Sequence, residues 1–167
     1  MDEMIFYKRE SDTIFIRATG HITANSCSQL KDKVFEELDS DNAPQKILID
    51  LSQCEYMDST FMGLIAGFNK RLIRAGNSPL TLFNVDATCQ KLLKTMGIAN
   101  LVTISNELPQ FPAMMETMNP AEDASPDFIL DSHNHLIELS EENEKRFSTL
   151  RTILQNTINE KENNKEK

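Results

Sequence analysis

Five short apolar runs, separated by polar segments, predict the strands of this chain. They are rich in β-branched and aromatic side chains, which favour extended backbone. The polar turn KRESD joins the first two runs and predicts a hairpin. The apolar residues of KILIDL appear without strict alternation, as in a central buried strand. The five runs are Met4–Tyr7, Thr13–Ala18, Lys46–Leu51, Pro79–Val85 and Leu101–Ile104.

Apolar residues at helical spacing lie between and after these runs. Asn25 or Ser26 can cap a first helix, and Asp58 stands directly before a second one. The cluster Met114–Met118 predicts a short final helix. The resulting order, β-β-α-β-α-β-α-β-α, predicts an α/β domain over residues 1–118, with helices packed on a mainly parallel mixed sheet.

The composition changes after residue 118. Residues 119–132 contain prolines and acidic residues and predict a linker, and residues 133–160 predict one long amphipathic helix. Residues 161–167 have almost nothing to bury and predict a disordered tail. One side of the predicted helix is an apolar stripe, formed by Leu136, Leu139, Asn143, Phe147, Leu150, Ile153, Leu154 and Ile158.

The stripe has two interpretations, and Asn143 bears on both. A polar residue inside an apolar stripe can set the register of a coiled coil between two copies of the chain, which would form a homodimer through this helix. It can also lie at the wet edge of a contact within one chain. The breadth of the stripe and the presence of Phe147 favour the second interpretation.

Composition and charge narrow the classes of function. The formal net charge of −9 argues against a nucleic-acid partner. Three cysteines without a CxxC pair predict buried reduced thiols and no metal site. The N-terminus has no apolar segment of the signal-peptide kind, and the longest apolar run, within Phe61–Phe68, is far shorter than a membrane span. We therefore expect a cytoplasmic protein with no membrane partner.

The candidate chemistry lies at Asp58-Ser59-Thr60, at the predicted start of the second helix. Asp58 is a good N-cap, and a phosphate on Ser59 would lie beside unpaired amide groups at the positive end of the helix dipole. From the residues alone, both a plain cap and a regulated hydroxyl remain open. No phosphate-binding glycine loop or nucleophile motif is present, and the histidines have no placed acid partner. The sequence thus predicts neither an enzyme nor a cofactor.

Three segments, in the same order along the chain, resemble one protein family. They are "ATGHITANSCSQL", "KILIDLSQCEYMDSTFMGLIAGF" and "LTLFNVDATCQKLLKTMGIANLVTI". Together they resemble the STAS domain of bacterial anti-sigma-factor antagonists over the first two thirds of the chain. The segment "ILDSHNHLIELSEENEKRFSTL" resembles an extension found on a longer subset of these antagonists.

The resemblance implies a phosphorylation switch. It implies that the unphosphorylated protein binds an anti-sigma factor that is also a serine protein kinase of the GHKL type, and so frees a sigma factor. Phosphorylation of Ser59 would end this binding, and a PP2C-like serine phosphatase would restore it. The implied partner-binding residues are Asp58, Ser59, Thr60, Phe61, Met62 and Gly63.

Phe61 departs from the family pattern, because glycine is usual at that position. We expect its ring at the edge of the docking surface rather than in the core. Two other functions stay open: a STAS scaffold or sensor subunit of a signalling assembly, and a STAS domain that binds a small ligand. Gly63 and Gly67 form a GxxxG pattern, which predicts close approach of this helix to a neighbour.

Overall fold

The protein folds around one six-stranded mixed sheet. The structure, a computed structural model, describes residues 2–165. The spatial order of the strands is β5-β4-β3-β2-β1-β6. Their bounds are β1 Met4–Glu10, β2 Thr13–Ile22, β3 Lys46–Met57, β4 Thr81–Phe83, β5 Thr103–Ser105 and β6 Glu116–Thr117.

Strand pairing confirms the α/β class and the mainly parallel centre of the sheet. β1 and β2 form the predicted antiparallel hairpin, whereas β2, β3, β4 and β5 run parallel to one another. β3 lies between two neighbours; Ile47, Ile49 and Leu51 are buried on one face, and Leu48, on the other face, is partly buried. This position explains why the apolar residues of β3 do not alternate strictly with polar ones.

Five helices complete the described part of the chain. Their bounds are α1 Ala24–Leu38, α2 Ser59–Arg74, α3 Ala87–Thr95, α4 Pro126–Ile137 and α5 Glu141–Lys165. Asp58 caps α2 as predicted. The cap of α1 is Thr23 rather than Asn25 or Ser26; the Ser26 hydroxyl instead accepts a hydrogen bond from the Thr23 N–H at 3.2 Å.

The predicted helix at Met114–Met118 is wrong. This segment contains β6, which pairs antiparallel with the outer edge of β1. The Met118 N–H donates to the Ile5 carbonyl at 2.8 Å, so the segment satisfies backbone groups that would otherwise stay unpaired at the sheet edge. Methionine side chains fit many environments, so their spacing alone did not distinguish the two structures.

The predicted boundaries of the C-terminal region also need correction. The linker is confined to residues 119–125, because α4 begins at Pro126, where the Ser125 hydroxyl accepts a hydrogen bond from the Phe128 N–H at 3.2 Å. The predicted single helix is interrupted after Ile137, and Ser140 caps the start of α5 through the Asn143 N–H. The predicted tail at residues 161–165 is helical, and residues 166–167 lie outside the described residues.

The C-terminal helices pack on the domain of the same chain. α4 lies against α2, and α5 lies against α4. Phe128, Leu136 and Phe147 are buried in the same core as the sheet residues. Asn25 of α1 holds the preceding linker, since its side chain accepts from the Ala124 N–H at 2.8 Å and its carbonyl accepts from the Ala121 N–H at 2.9 Å. Part of the stripe, including Leu136, Phe147 and Leu154, is thus buried within one chain, as the intramolecular interpretation expects.

Candidate functional site: the N-terminus of α2 beneath α4

Asp58 joins the N-termini of two helices. One carboxylate oxygen accepts a hydrogen bond from the Phe61 N–H of α2 at 2.9 Å, and the other accepts from the Ala24 N–H of α1 at 2.9 Å. Each bond satisfies an amide that has no partner within its own helix. Burial raises the pKa of the Asp58 carboxyl, although these amide bonds act in the opposite direction. Ser59 thus directly follows a residue whose carboxylate is held by both α1 and α2.

Ser59, the first residue of α2, makes a hydrogen bond to a histidine of α4. Its Oγ lies 2.8 Å from His133 Nε2. His133 Nδ1 lies 2.7 Å from the Ile129 carbonyl oxygen, which can only accept a hydrogen bond. Nδ1 therefore carries a proton, and in the neutral ring Nε2 accepts the hydrogen of the Ser59 hydroxyl.

α5 holds the His133 ring from the other side. The rings of His133 and Phe147 are 4.9 Å apart, in an edge-to-face arrangement at 71°. His133 is only 2% exposed and Phe147 is 8% exposed. Phe147 of α5 thus packs on His133 of α4, and His133 in turn contacts the Ser59 hydroxyl.

This serine–histidine pair lacks the third member of a catalytic triad. In such triads a carboxylate orients the histidine through its second nitrogen. Here that nitrogen contacts a backbone carbonyl four residues earlier on the same helix. In the part of the chain that the structure describes, the pair is thus a contact between α2 and α4 in which a backbone carbonyl orients the histidine.

Four of the six predicted partner-binding residues have little exposed surface. Asp58 and Ser59 are partly exposed, whereas Thr60, Phe61, Met62 and Gly63 are buried. Phe61 is 0% exposed and belongs to the core cluster. The expectation that Phe61 lies at the edge of the docking surface is wrong, because the first turn of α2 directs this ring into the core.

The two glycines of α2 explain how closely α4 approaches. A methyl group at Gly63 would overlap the backbone carbonyl oxygen of Ser132. A methyl group at Gly67 would lie 2.8 Å from the ring of His135. The GxxxG prediction of a close neighbour is confirmed, and that neighbour is α4.

The sequence interpretation missed His133. The predicted helix begins at residue 133, whereas α4 begins seven residues before His133 and buries this side chain. His135 lies against α2, and burial lowers its pKa, with further lowering by the positive charge of Lys70. A serine cap followed by proline at residues 125–126 was the signal for the earlier helix start.

A cleft of about 320 Å³ lies beside this contact, between α1, α2 and α4. Two of its basic side chains already have acidic partners. Lys70 Nζ lies 2.5 Å from Glu138 Oε2 on α4, and Arg71 pairs with Asp39. In this cleft a small molecule could contact both the sheet domain and α4.

Comparison with known proteins gives the family. The model "Mlab, STAS domain" matches residues 5–103, and the chain belongs to the STAS domain family. The matched region includes β1 to α3 and ends before α4 and α5. None of the helices in the described part of the chain is long and apolar enough to cross a membrane.

Individual relatives are similar over the same region. The anti-sigma-B factor antagonist of Listeria monocytogenes is 32% identical over 101 residues, which cover 59% of this chain and 84% of that protein. The unphosphorylated anti-sigma factor antagonist SpoIIAA is 20% identical, with a TM-score of 0.54 over 62% of this chain and 89% of that one. The phosphorylated Bacillus SpoIIAA structure has a TM-score of 0.51 at 20% identity, over 62% of this chain and 92% of that one. At these identities the structures establish the fold.

Proposed function

We propose that this protein is an anti-sigma-factor antagonist that works by binding and is switched by phosphorylation of Ser59. The observation that carries the proposal is the position of Ser59, directly after the Asp58 cap and at the first residue of α2. The relationship to the Listeria antagonist supports the same function. The unphosphorylated form binds a GHKL-type serine-kinase anti-sigma factor through the start of α2, and so frees a sigma factor in the cytoplasm.

A phosphate at this position changes the surface by charge and by size. Phosphorylation adds roughly −1.5 to −2 charges at neutral pH. The helix N-terminus favours an anion, so the phosphoserine is stable where it forms. The same charge lies next to Asp58 and repels any acidic group of a docked partner. ATP binds in the partner kinase, and a PP2C-like phosphatase removes the phosphate.

Phosphate mapping tests the site. The full chain is incubated with ATP and a lysate of the native cells, and phosphopeptides are identified by mass spectrometry. We expect a single phosphate on Ser59, lost in Ser59→Ala and retained in Thr60→Val. Thr60 is the matched control because it is the adjacent hydroxyl and is buried. A phosphate on Thr60 with Ser59 unmodified would contradict the assignment.

A pull-down compares the proposed function with its two alternatives. Ser59→Ala and Ser59→Asp forms are used as bait in the same lysate. Enrichment of a GHKL-type kinase on the alanine form supports the proposal. Recovery of scaffold subunits alone supports the signalling-assembly function. A small molecule retained in native mass spectrometry, and lost when Lys70 and Arg71 of the cleft are replaced, supports the ligand-binding function.

A further inference from the structure

α4 covers the part of α2 that the proposed function requires to be open. The Ser59 hydroxyl is bonded to His133, and the Gly63 backbone contacts the Ser132 carbonyl. α4 and α5 also lie outside the region that defines the STAS family, residues 5–103. They are an addition to the domain, and they are placed on its candidate docking surface, Asp58–Gly63.

We propose that α4 and α5 form an autoinhibitory cover, and that Ser59 is available to a kinase only after α4 moves away from α2. This inference rests on the proposed function of Ser59. It adds a second level of control. Displacement of α4 and α5 would determine when Ser59 can be bound by a partner or phosphorylated.

Steric exclusion is the first argument. The 2.8 Å between Ser59 Oγ and His133 Nε2 leaves room for one hydrogen atom. Phosphorylation replaces the hydrogen that Ser59 Oγ donates to His133, so this bond is lost, and a kinase active site must surround the hydroxyl before transfer. Phosphorylated Ser59 therefore lacks a contact that holds α4 in place, and phosphorylation and α4 docking disfavour each other by linkage.

The second argument is that the contact between α4 and α2 can break without unfolding of the sheet domain. α4 has only 12 residues, so its order depends on packing rather than on its own stability. Polar groups supply part of that packing, including the Ser59–His133 bond and the Lys70–Glu138 ion pair at the surface. The linker stays attached to α1 through Asn25 when α4 moves, so the cover remains close and can close again.

The closed cover lowers the apparent affinity of any partner that needs the open form. The partner's dissociation constant increases by the inverse of the open fraction. A variant that opens the cover therefore increases the exposure of Ser59. Gly63→Ala is such a variant. Alanine favours the α2 helix more than glycine does, whereas its methyl group overlaps the backbone of α4.

Thiol labelling measures the exposure directly. Ser59→Cys is introduced into the full chain, and its reaction with a maleimide is followed by mass spectrometry. The three natural cysteines are buried and provide a low background. We expect slow labelling of Ser59→Cys alone, and roughly tenfold or faster labelling when Gly63→Ala is added, as for a locally opened segment. Gly67→Ala is the matched control: its methyl meets a movable His135 side chain, so the increase is smaller.

Two results would overturn the inference that α4 and α5 cover Ser59. One is that the Ser59→Cys thiol in the folded parent reacts as fast as in urea. The other is an unchanged rate in a folded Gly63→Ala variant, with folding checked by circular dichroism. If Gly63→Ala does not fold, Phe128→Ala replaces it, because Phe128 is a buried anchor on α4 itself. An unchanged rate there also overturns the inference. The reagent needs no kinase, so this result is independent of whether Ser59 is phosphorylated.

Discussion

Ser59 and Phe61 are two residues apart on α2 but lie in different environments. The Ser59 hydroxyl points away from the sheet and contacts α4, whereas the Phe61 ring is enclosed by the core. Two residues on a helix differ in direction by about 200°, so one side chain contacts α4 and the other lies in the core. The family position usually held by glycine is therefore filled here by a core side chain.

Removal of the Phe61 ring should destabilise the fold. We expect Phe61→Ala to lower the free energy of unfolding by about 3–5 kcal/mol, as for buried phenylalanines elsewhere. Phe61→Leu, the matched control, keeps most of the apolar volume and should lose much less. Urea denaturation followed by circular dichroism measures both. A Phe61→Gly protein as stable as the parent would show that the ring is not a core residue.

At the scale of the elements, one buried side-chain amide connects the two C-terminal helices to the domain. Asn143 is 0% exposed, and its Nδ2 donates to the Met96 carbonyl at 2.9 Å and to the Leu136 carbonyl at 2.8 Å. Met96 ends α3 and Leu136 belongs to α4, so Asn143 joins three helices. The polar residue inside the stripe thus sets the position of α5 within one chain rather than the register of two chains.

Loss of these donors should loosen α5. Asn143→Asp keeps the shape but places a carboxylate against two carbonyl oxygens, and we expect a loss of at least about 1–3 kcal/mol. Asn156→Asp makes the same chemical change at an exposed position of α5 and should stay within about 0.5 kcal/mol. Urea denaturation measures both variants. Equal effects at the two positions would rule out the internal role of Asn143.

At the scale of the whole molecule, the packing of α4 and α5 determines how much apolar surface stays exposed and could contact another chain. Leu136, Phe147 and Leu154 of the stripe are buried within the chain, whereas Ile153 is 56% exposed. A homodimer through the C-terminal helix, which the sequence left open, would have to use this remaining side of α5. One exposed isoleucine is a small apolar patch, and single exposed apolar residues are common on monomers.

Light scattering tests the association of the full chain. We expect the mass of one chain at micromolar concentration, and the same mass for Ile153→Asp, because the apolar part of the stripe is already covered. If the parent instead has the mass of two chains and Ile153→Asp has the mass of one, the helix pairs two copies. In that case the homodimer interpretation is correct, and α5 contacts a second copy of the chain.

Local patterns determined most of the domain. The five apolar runs, the Asp58 cap and the glycine spacing on α2 each depend on neighbours within a few residues, and the structure confirms all of them. β1, β2 and β3 extend beyond their predicted apolar runs because hydrogen bonds between strands continue past the apolar centres, whereas β4 and β5 have only three residues each. The resemblance placed Ser59 correctly at the start of a helix for the same local reason.

Only the tertiary structure decided what surrounds Ser59. His133 is 74 residues away along the chain, and no periodicity relates two positions at that separation. Their contact depends on where α4 begins, on the linker that Asn25 holds, and on the absence of a side chain at Gly63. The burial of Phe61 is decided in the same way, since the sheet beneath and α4 above enclose the first turn of α2. The sequence by itself determined that a cap and a serine lie at a helix start, and packing between distant segments determined that this serine contacts His133 of α4.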